Sequence, residues 1–324
     1  MARLHAHGLV SMETPVIYFY TDTETRVAVK VDFPKGWITE WYPQASAAPR
    51  KGGNYGGQSI RWDVKLTPHQ PATFPREFSN RENHYYAARE TDAAPLQIEI
   101  ANPSEDDYPS YRDLRGAVVV QREKFLFYRG VGTFPPPVTV RALGGDKVRV
   151  MNKSGGRAAG LVLVTVRDGM FGFRPVGELD SGAEADAVLP ETNARREDLG
   201  AFLVKELAAA GLYEKEAKAM VKSWDSAWFG DEGTRLLYVV PRSKTDELLP
   251  ITLDPKPEEL VRVLVGRHDF LTPEVEAVAE KQLKRLRAAS EEQSAANAEL
   301  NRLGRFGQQA QQMAAQRLDA KETK

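Results

Sequence analysis

The chain has 324 residues, 42% of them hydrophobic and 27% charged, with 44 Lys and Arg against 45 Asp and Glu. This is the composition of a folding globular chain of two or three packed units, and its near-neutral charge gives no electrostatic reason to bind nucleic acid or an anionic membrane. With no cysteine in the chain, disulfides, thiolate metal sites and a cysteine nucleophile are all excluded.

No transmembrane segment is expected, because apolar runs such as Leu161 to Val166 fall far short of the roughly 18 residues that cross a bilayer. The N-terminus carries no apolar signal core. The strand-like run Val16 to Tyr20 begins soon after Met1, which leaves two expectations. If an upstream signal segment is missing, the location is periplasmic or extracellular; otherwise it is cytoplasmic.

From Val27 to Phe33 the residues alternate, with Val27, Val29, Val31 and Phe33 on one face and Ala28, Lys30 and Asp32 on the other, the pattern of a half-buried strand. Val16 to Tyr20 reads as its hairpin partner. Ile60, Trp62, Val64 and Leu66 mark a third strand. Residues 43–57 and 68–75, rich in Pro, Gly and polar side chains, read as long connections.

Between Gly116 and Leu179 several strand-like runs are separated by Gly-rich punctuation, which predicts a meander and a sandwich. Gly144-Gly145-Asp146, Asn152 to Gly156 and Asp168-Gly169 suit tight turns. The period then changes. Leu199, Phe202, Leu203 and Leu207, then Ala217, Met220, Val221, Trp224 and Trp228, predict a helical hairpin, with Gly211 ending its first helix. Residues 235–241 and 260–266 read as strands flanking a connection. Thr272-Pro273-Glu274 reads as the start of a helix.

The expected fold is mainly β: a β-sandwich-like body, an inserted helical hairpin, a small α+β part and a C-terminal helical tail. The expected domains are 1–115 (strand-rich), 116–190 (meander or sandwich), 191–272 (hairpin plus short sheet) and 273–324 (helical to disordered tail). In that tail the ten residues after Ala289 hold no large apolar side chain until Leu300, and Leu300, Leu303 and Phe306 do not sustain a coiled coil.

Aromatic residues concentrate between Trp37 and Trp62, where three of the five tryptophans occur. Trp37, Trp41, Tyr42 and Tyr55 are the candidate ligand-binding residues, because aromatic faces stack on sugars or peptides and the Gly-rich segment 51–57 lets a ligand approach the backbone. Core packing is the competing account, with Trp62 on the alternating face and Trp37 and Trp41 sharing one side of the next strand.

No metal site and no cofactor is expected. His5 and His7 have same-face spacing but sit at the terminus, His69, His84 and His268 lack ligand spacing, and Glu105, Asp106 and Asp107 lack a calcium-loop pattern. The glycine-rich segment lacks the Gly-Lys-Ser/Thr ending of a phosphate loop, and no GxSxG elbow occurs. Asn152-Lys153-Ser154 is a formal glycosylation sequon in a turn. Trp224, Trp228 and Phe229 read as core. The basic cluster Lys281, Lys284, Arg285 and Arg287 lies in a tail whose charges otherwise balance.

The blocks METPVIYFY at 12–20, GWITEWYP at 36–43 and EKFLFYRGVG at 123–132 resemble a family of uncharacterised bacterial proteins, and AGLYEKEAKAMVKSW and LVRVLVGR fit the same pattern. The resemblance covers most of the chain up to Thr272. It implies no reaction, since that family has no established activity, and it implies export. The leading expectation is a non-catalytic binding or structural protein of the cell envelope, with carbohydrate or protein as partner. The alternatives are a hydrolase with His84 and carboxylates in an interdomain cleft, and an assembly scaffold acting through the C-terminal helix.

Overall fold

The computed structural model describes residues 10–12, 16–49, 57–71, 73–75, 83–101, 118–287, 293–302, 311, 314–315 and 318. In chain order the first strands are β1 (Val10–Met12), β2 (Val16–Ile17), β3 (Thr25–Phe33), β4 (Gly36–Tyr42) and β5 (Gln58–Leu66). A short 3₁₀ helix, His84–Glu90, precedes β6 (Leu96–Ala101), β7 (Val118–Glu123) and β8 (Leu126–Gly132). There follow β9 (Val138–Gly144), β10 (Lys147–Asn152), β11 (Ala158–Arg167), β12 (Met170–Leu179) and β13 (Glu184–Val188). Helices α1 (Arg196–Ala209) and α2 (Glu214–Asp225) lead to β14 (Gly233–Val240), α3 (Arg242–Leu248), β15 (Ile251–Asp254) and β16 (Leu264–Phe270). The chain then forms α4 (Pro273–Arg287) and α5 (Gln293–Arg302). The protein is therefore mainly β with a few helices, among them a C-terminal pair.

Contacts divide the chain into two compact units. The first comprises Met1–Pro135, Val204–Trp224 and Val240–Val265, and the second Pro136–Leu203, Asp225–Val239 and Gly266–Lys324.

In the first unit a five-stranded sheet runs β15-β3-β5-β6-β7. The alternation of β3 and β5 sets its register: Val29 lies opposite Trp62 and Val31 opposite Ile60, all four buried, because strand neighbours directly across from each other share a face. The other face carries Lys30–Asp32, Arg61–Asp63 and Arg26–Glu99, exposed ion pairs of the kind that contribute at most about 1 kcal/mol each.

A second sheet packs on the buried face. In it β8 pairs with β1 and β2 along one side and with β4 along the other. Tyr128 of β8, fully buried, meets Phe33 edge-on at 5.8 Å and lies 6.2 Å from Trp62, whose indole N–H donates to the Pro43 carbonyl at 3.1 Å. The opposite side of β8 is covered by the 3₁₀ helix and α2, through Tyr85 at 5.0 Å and Trp224 at 6.4 Å from Phe127.

Two sequence expectations are corrected here. The run from Val16 to Tyr20 is not the hairpin partner of β3: only Val16–Ile17 is strand, and it pairs with β8, Val16 opposite Phe127 and Ile17 opposite Leu126. The segment between residues 241 and 260 is not plain connection either. It contains α3 and β15, and Ile251 and Leu253 pair with Val31 and Val29 to extend the five-stranded sheet.

The second unit holds the sheets β13-β10-β9 and β12-β11-β14-β16. The predicted single meander is thus distributed over separate sheets, with β7 and β8 in the first unit. Asp168 (φ 51°) and Gly169 (φ 74°) form the two-residue turn between β11 and β12, where left-handed backbone at both positions matches the twist of a hairpin. Leu161 to Val164 are wholly buried, as befits a strand paired on both sides. Asn152, 1% exposed, donates its amide to the carbonyls of Gly156, Leu179 and Asp180 at 2.8, 2.8 and 3.1 Å, so the sequon asparagine is an internal loop clamp.

Both predicted helices form, with Leu199, Leu203 and Leu207 buried on α1 and Ala217, Met220 and Trp224 on α2. After α2 a π-helical turn, Ser226–Gly230, buries Trp228 and Phe229. Two buried arginines satisfy the carbonyls this turn leaves open. Arg235 donates to the Trp228 and Glu232 carbonyls, both at 3.1 Å, and Arg267 donates to the Ala227 carbonyl while pairing with Asp231 at 3.0 Å and Asp269 at 2.9 Å.

Thr272 accepts the Val275 N–H at 3.4 Å and starts α4, as expected. The segment expected as a helical to disordered tail has described helices that pack together. Ala279 of α4, Leu300 of α5 and Ala314 are buried together, with Leu271, Leu283 and Leu286 packed around them. The stripe on α4 therefore has a partner, supplied by small residues and one leucine that the stretch after Ala289 does not advertise.

Candidate functional site

Strand β4 departs from regular pairing at Thr39. Its register on β8 shifts between Ile38, opposite Gly130, and Glu40, opposite Arg129. Thr39 is the extra residue of a β-bulge, and its hydroxyl donates to the Arg129 carbonyl at 3.3 Å. A bulge reverses which side chains share a face. Trp37 with Val131, Glu40 with Arg129 and Tyr42 with Phe127 fall on one face, whereas Ile38 with Gly130 and Trp41 with Tyr128 fall on the other. Trp37 and Trp41 therefore do not share a side, contrary to the sequence expectation, because that expectation assumed an unbroken two-residue period.

The predicted ligand-binding residues thus separate. Trp41, half-buried, is on the side of Tyr128, which faces the five-stranded sheet. Tyr42, on the other side, stacks on Tyr85 at 4.7 Å and lies 3.5 Å from Nη2 of Arg89, and burial holds its phenol far above the usual range. Trp37 is half-buried on the same side as Glu40 and Arg129. Tyr55, His5, His7, Glu105, Asp106, Asp107 and residues 51–56 of the Gly-rich segment lie outside the described residues.

What gathers around Glu40 and Arg129 is a polar cluster on an aromatic floor. The two side chains form a loose cross-strand pair, 3.7 Å apart, each with 36% of its side chain exposed. The Arg129 guanidinium lies 5.5 Å above the Trp224 ring. His84, the first residue of the 3₁₀ helix, meets Phe127 edge-on at 5.3 Å and sits 5.9 Å from Trp224, with part of its ring open to solvent. Desolvation and the nearby Arg129 charge lower the His84 pKa and Glu40 opposes them, so the imidazole is neutral at neutral pH. The cluster offers a neutral donor–acceptor ring, a guanidinium and a carboxylate side by side. Glu40 is the carboxylate whose charge acts on His84.

The 3₁₀ helix that presents His84 is anchored by a pair the sequence does not reveal. Glu123, at the end of β7, has 0% side-chain exposure and accepts two bonds from Arg89 Nε, at 2.8 and 3.1 Å. The Arg89 guanidinium also donates to the Pro75 carbonyl at 2.8 Å and stacks 3.7 Å over Tyr86. Burial pushes the Glu123 carboxyl up to about 7, and Arg89 keeps it from rising further. Only the pairing of β6 with β7 brings Glu123 under the 3₁₀ helix, so no local pattern marks it.

His69 accepts or donates a bond at the Asp22 carbonyl, 2.7 Å away, and His268 stacks on Phe270 at 6.4 Å in the second unit. Neither joins the cluster around Glu40. Among the described residues no group of three or more His, Asp or Glu side chains is arranged to hold a metal ion, and no helix is long and apolar enough to cross a membrane.

No protein-family model matches this chain, and no curated protein shows detectable similarity to it.

Proposed function

We propose that the protein is a non-catalytic binding protein of the cell envelope whose ligand is a carbohydrate. Its binding surface is the face of β4 and β8 that carries Trp37, Glu40 and Arg129, together with His84. The observation that supports this reading is the bulge at Thr39, which moves Glu40 to the face of Trp37 and Arg129. Bulges re-aim side chains where a surface has work beyond packing. A partly exposed indole suits the apolar face of a sugar ring, and Glu40, Arg129 and the neutral His84 supply both acceptors and donors to ring hydroxyls.

Isothermal titration against a panel of bacterial and plant oligosaccharides tests the reading, using the full chain and its Trp37→Ala and Arg129→Ala variants. Binding of one saccharide class that both substitutions weaken by about tenfold or more, the scale of one stacking or charge-assisted contact, is the expected result. Silence across the panel, or an affinity indifferent to Trp37, overturns it.

A further inference from the structure

A separate feature of the first unit sits where the residues after β2 meet the start of α2. Tyr20 and Tyr213 are both exposed, at 44% and 62%, and their rings meet edge to face with centroids 5.0 Å apart at 75°. Beneath them is Glu216, 7% exposed. Its Oε2 accepts the Tyr213 backbone N–H at 2.7 Å, the carboxylate half of a helix capping box, and its Oε1 accepts the Tyr20 hydroxyl at 3.0 Å.

The charges around this spot are unevenly matched. Lys215 pairs with Asp92 at 2.6 Å, Lys218 with Glu214 at 2.6 Å and Lys222 with Glu90 at 2.5 Å. Glu216 differs. Among the described residues its bonds come from a phenol and a backbone amide, both neutral, so each lysine here has an acid of its own and the Glu216 charge has no cation. A phenol that donates to a carboxylate becomes richer in π-electron density, which strengthens the pull of its ring face on a cation.

We propose that Tyr20, Tyr213 and Glu216 form a binding site for a methylated ammonium group. Two perpendicular, solvent-facing rings offer a corner to a bulky, weakly hydrated cation, and the carboxylate below supplies the opposite charge without a competing lysine. A primary ammonium is a poorer fit, since it would give up strong hydration for rings that accept no conventional hydrogen bond. The group can arrive as a choline-type head group or as trimethyllysine on a peptide, and the same chemistry recognises both.

The test is titration calorimetry on the full chain with choline, with its uncharged isostere 3,3-dimethylbutan-1-ol, and with a short trimethyllysine peptide beside its unmodified form. Choline or the trimethylated peptide should bind at least about fivefold tighter than its control, the scale of cation–π attraction at an exposed site. The tighter of the two assigns the source. Tyr213→Leu, at a position open enough to spare the fold, should weaken binding by about fivefold or more. Glu216→Gln retains a side-chain acceptor for the cap, and should weaken the cation while leaving the isostere unchanged. Equal binding of cation and control, no binding of either up to about 10 mM, or indifference to Tyr213→Leu overturns the proposal.

Discussion

Arg89 and Glu123 meet in a two-toothed ion pair, with Nε 2.8 and 3.1 Å from the carboxylate oxygens and Nη2 2.6 Å from one of them, and the glutamate is sealed from solvent. The pair joins the end of β7 to the 3₁₀ helix. Removing one member leaves a buried ionisable group without its counter-charge, so Arg89→Ala should lower stability by about 3 kcal/mol or more in urea denaturation. The double change Arg89→Met with Glu123→Leu, which removes both charges, should cost distinctly less. Saccharide binding at His84 should suffer in the single variant, because the helix that presents the imidazole loses its anchor.

Glu123 also gives stability a pH dependence of unusual sign. Its native pKa, about 7, lies above the ordinary value of 4.5, so between these limits the folded chain holds more protons than the unfolded one. Stability therefore falls as pH rises through this window. Glu123→Gln should flatten the decline in denaturation midpoints measured from pH 4.5 to 7.

His268 acts oppositely in the second unit. Burial pushes its pKa down to about 4 from 6.5, with Asp269 opposing, so the unfolded chain holds more protons between those values. This contribution, at most about 3 kcal/mol, is present above pH 6.5 and is lost as pH falls toward 4. His268→Phe keeps a ring against Phe270 and should reduce the acid-side loss.

Gly130 of β8 is pressed against the Phe33 ring of the facing sheet. A Cβ added there would lie 2.4 Å from the Phe33 ring and 2.7 Å from the Trp37 carbonyl. Gly130→Ala should cost about 1–3 kcal/mol, and Phe33→Leu should restore only part of it, because the carbonyl is main chain and cannot turn aside. Thermal melts of the three variants check this.

Deleting Thr39 removes the bulge and lets Ile38, opposite Gly130, be followed directly by Glu40, opposite Arg129, in regular pairing. Trp37, Glu40 and Tyr42 would keep the face of Arg129, and Ile38 and Trp41 that of Tyr128, because the deleted residue is the one without a partner in the pairing. The expected outcome is protease resistance across residues 16–135 close to that of the Thr39→Ser variant, with the two faces of β4 kept. A deletion variant far more readily cleaved would mean that β4 does not keep this register once the bulge is gone.

Where a strand has one buried face and no irregularity, its alternation is readable: Val27 to Phe33 and Ile60 to Leu66 pack as their spacing predicts. Turn and cap chemistry is equally local, as at Asp168-Gly169 and Thr272. What escapes the sequence is pairing across long separations. Val16 lies opposite Phe127 rather than beside β3, and nothing within the short strand distinguishes the two partners. A single extra residue, Thr39, undoes the two-residue period that the face of Trp37 and Trp41 was inferred from. Glu123 and Glu216 look like ordinary surface acids in one dimension, and become singular only when distant segments cover them.

The division of the chain into units has a consequence for how the protein is made. The first unit is completed by Val240–Val265, whose β15 closes the five-stranded sheet against β3. During synthesis the first 135 residues emerge with that edge open, and the 130 residues between Pro135 and Val265 take about 7 to 26 s to follow at ordinary elongation rates. For that interval β3 presents an unpaired, apolar-backed edge to whatever else is in the cell. A nascent chain in this state is a natural client for a ribosome-associated holdase, and slowing translation within α1 and α2 should lengthen its exposure and lower the soluble yield.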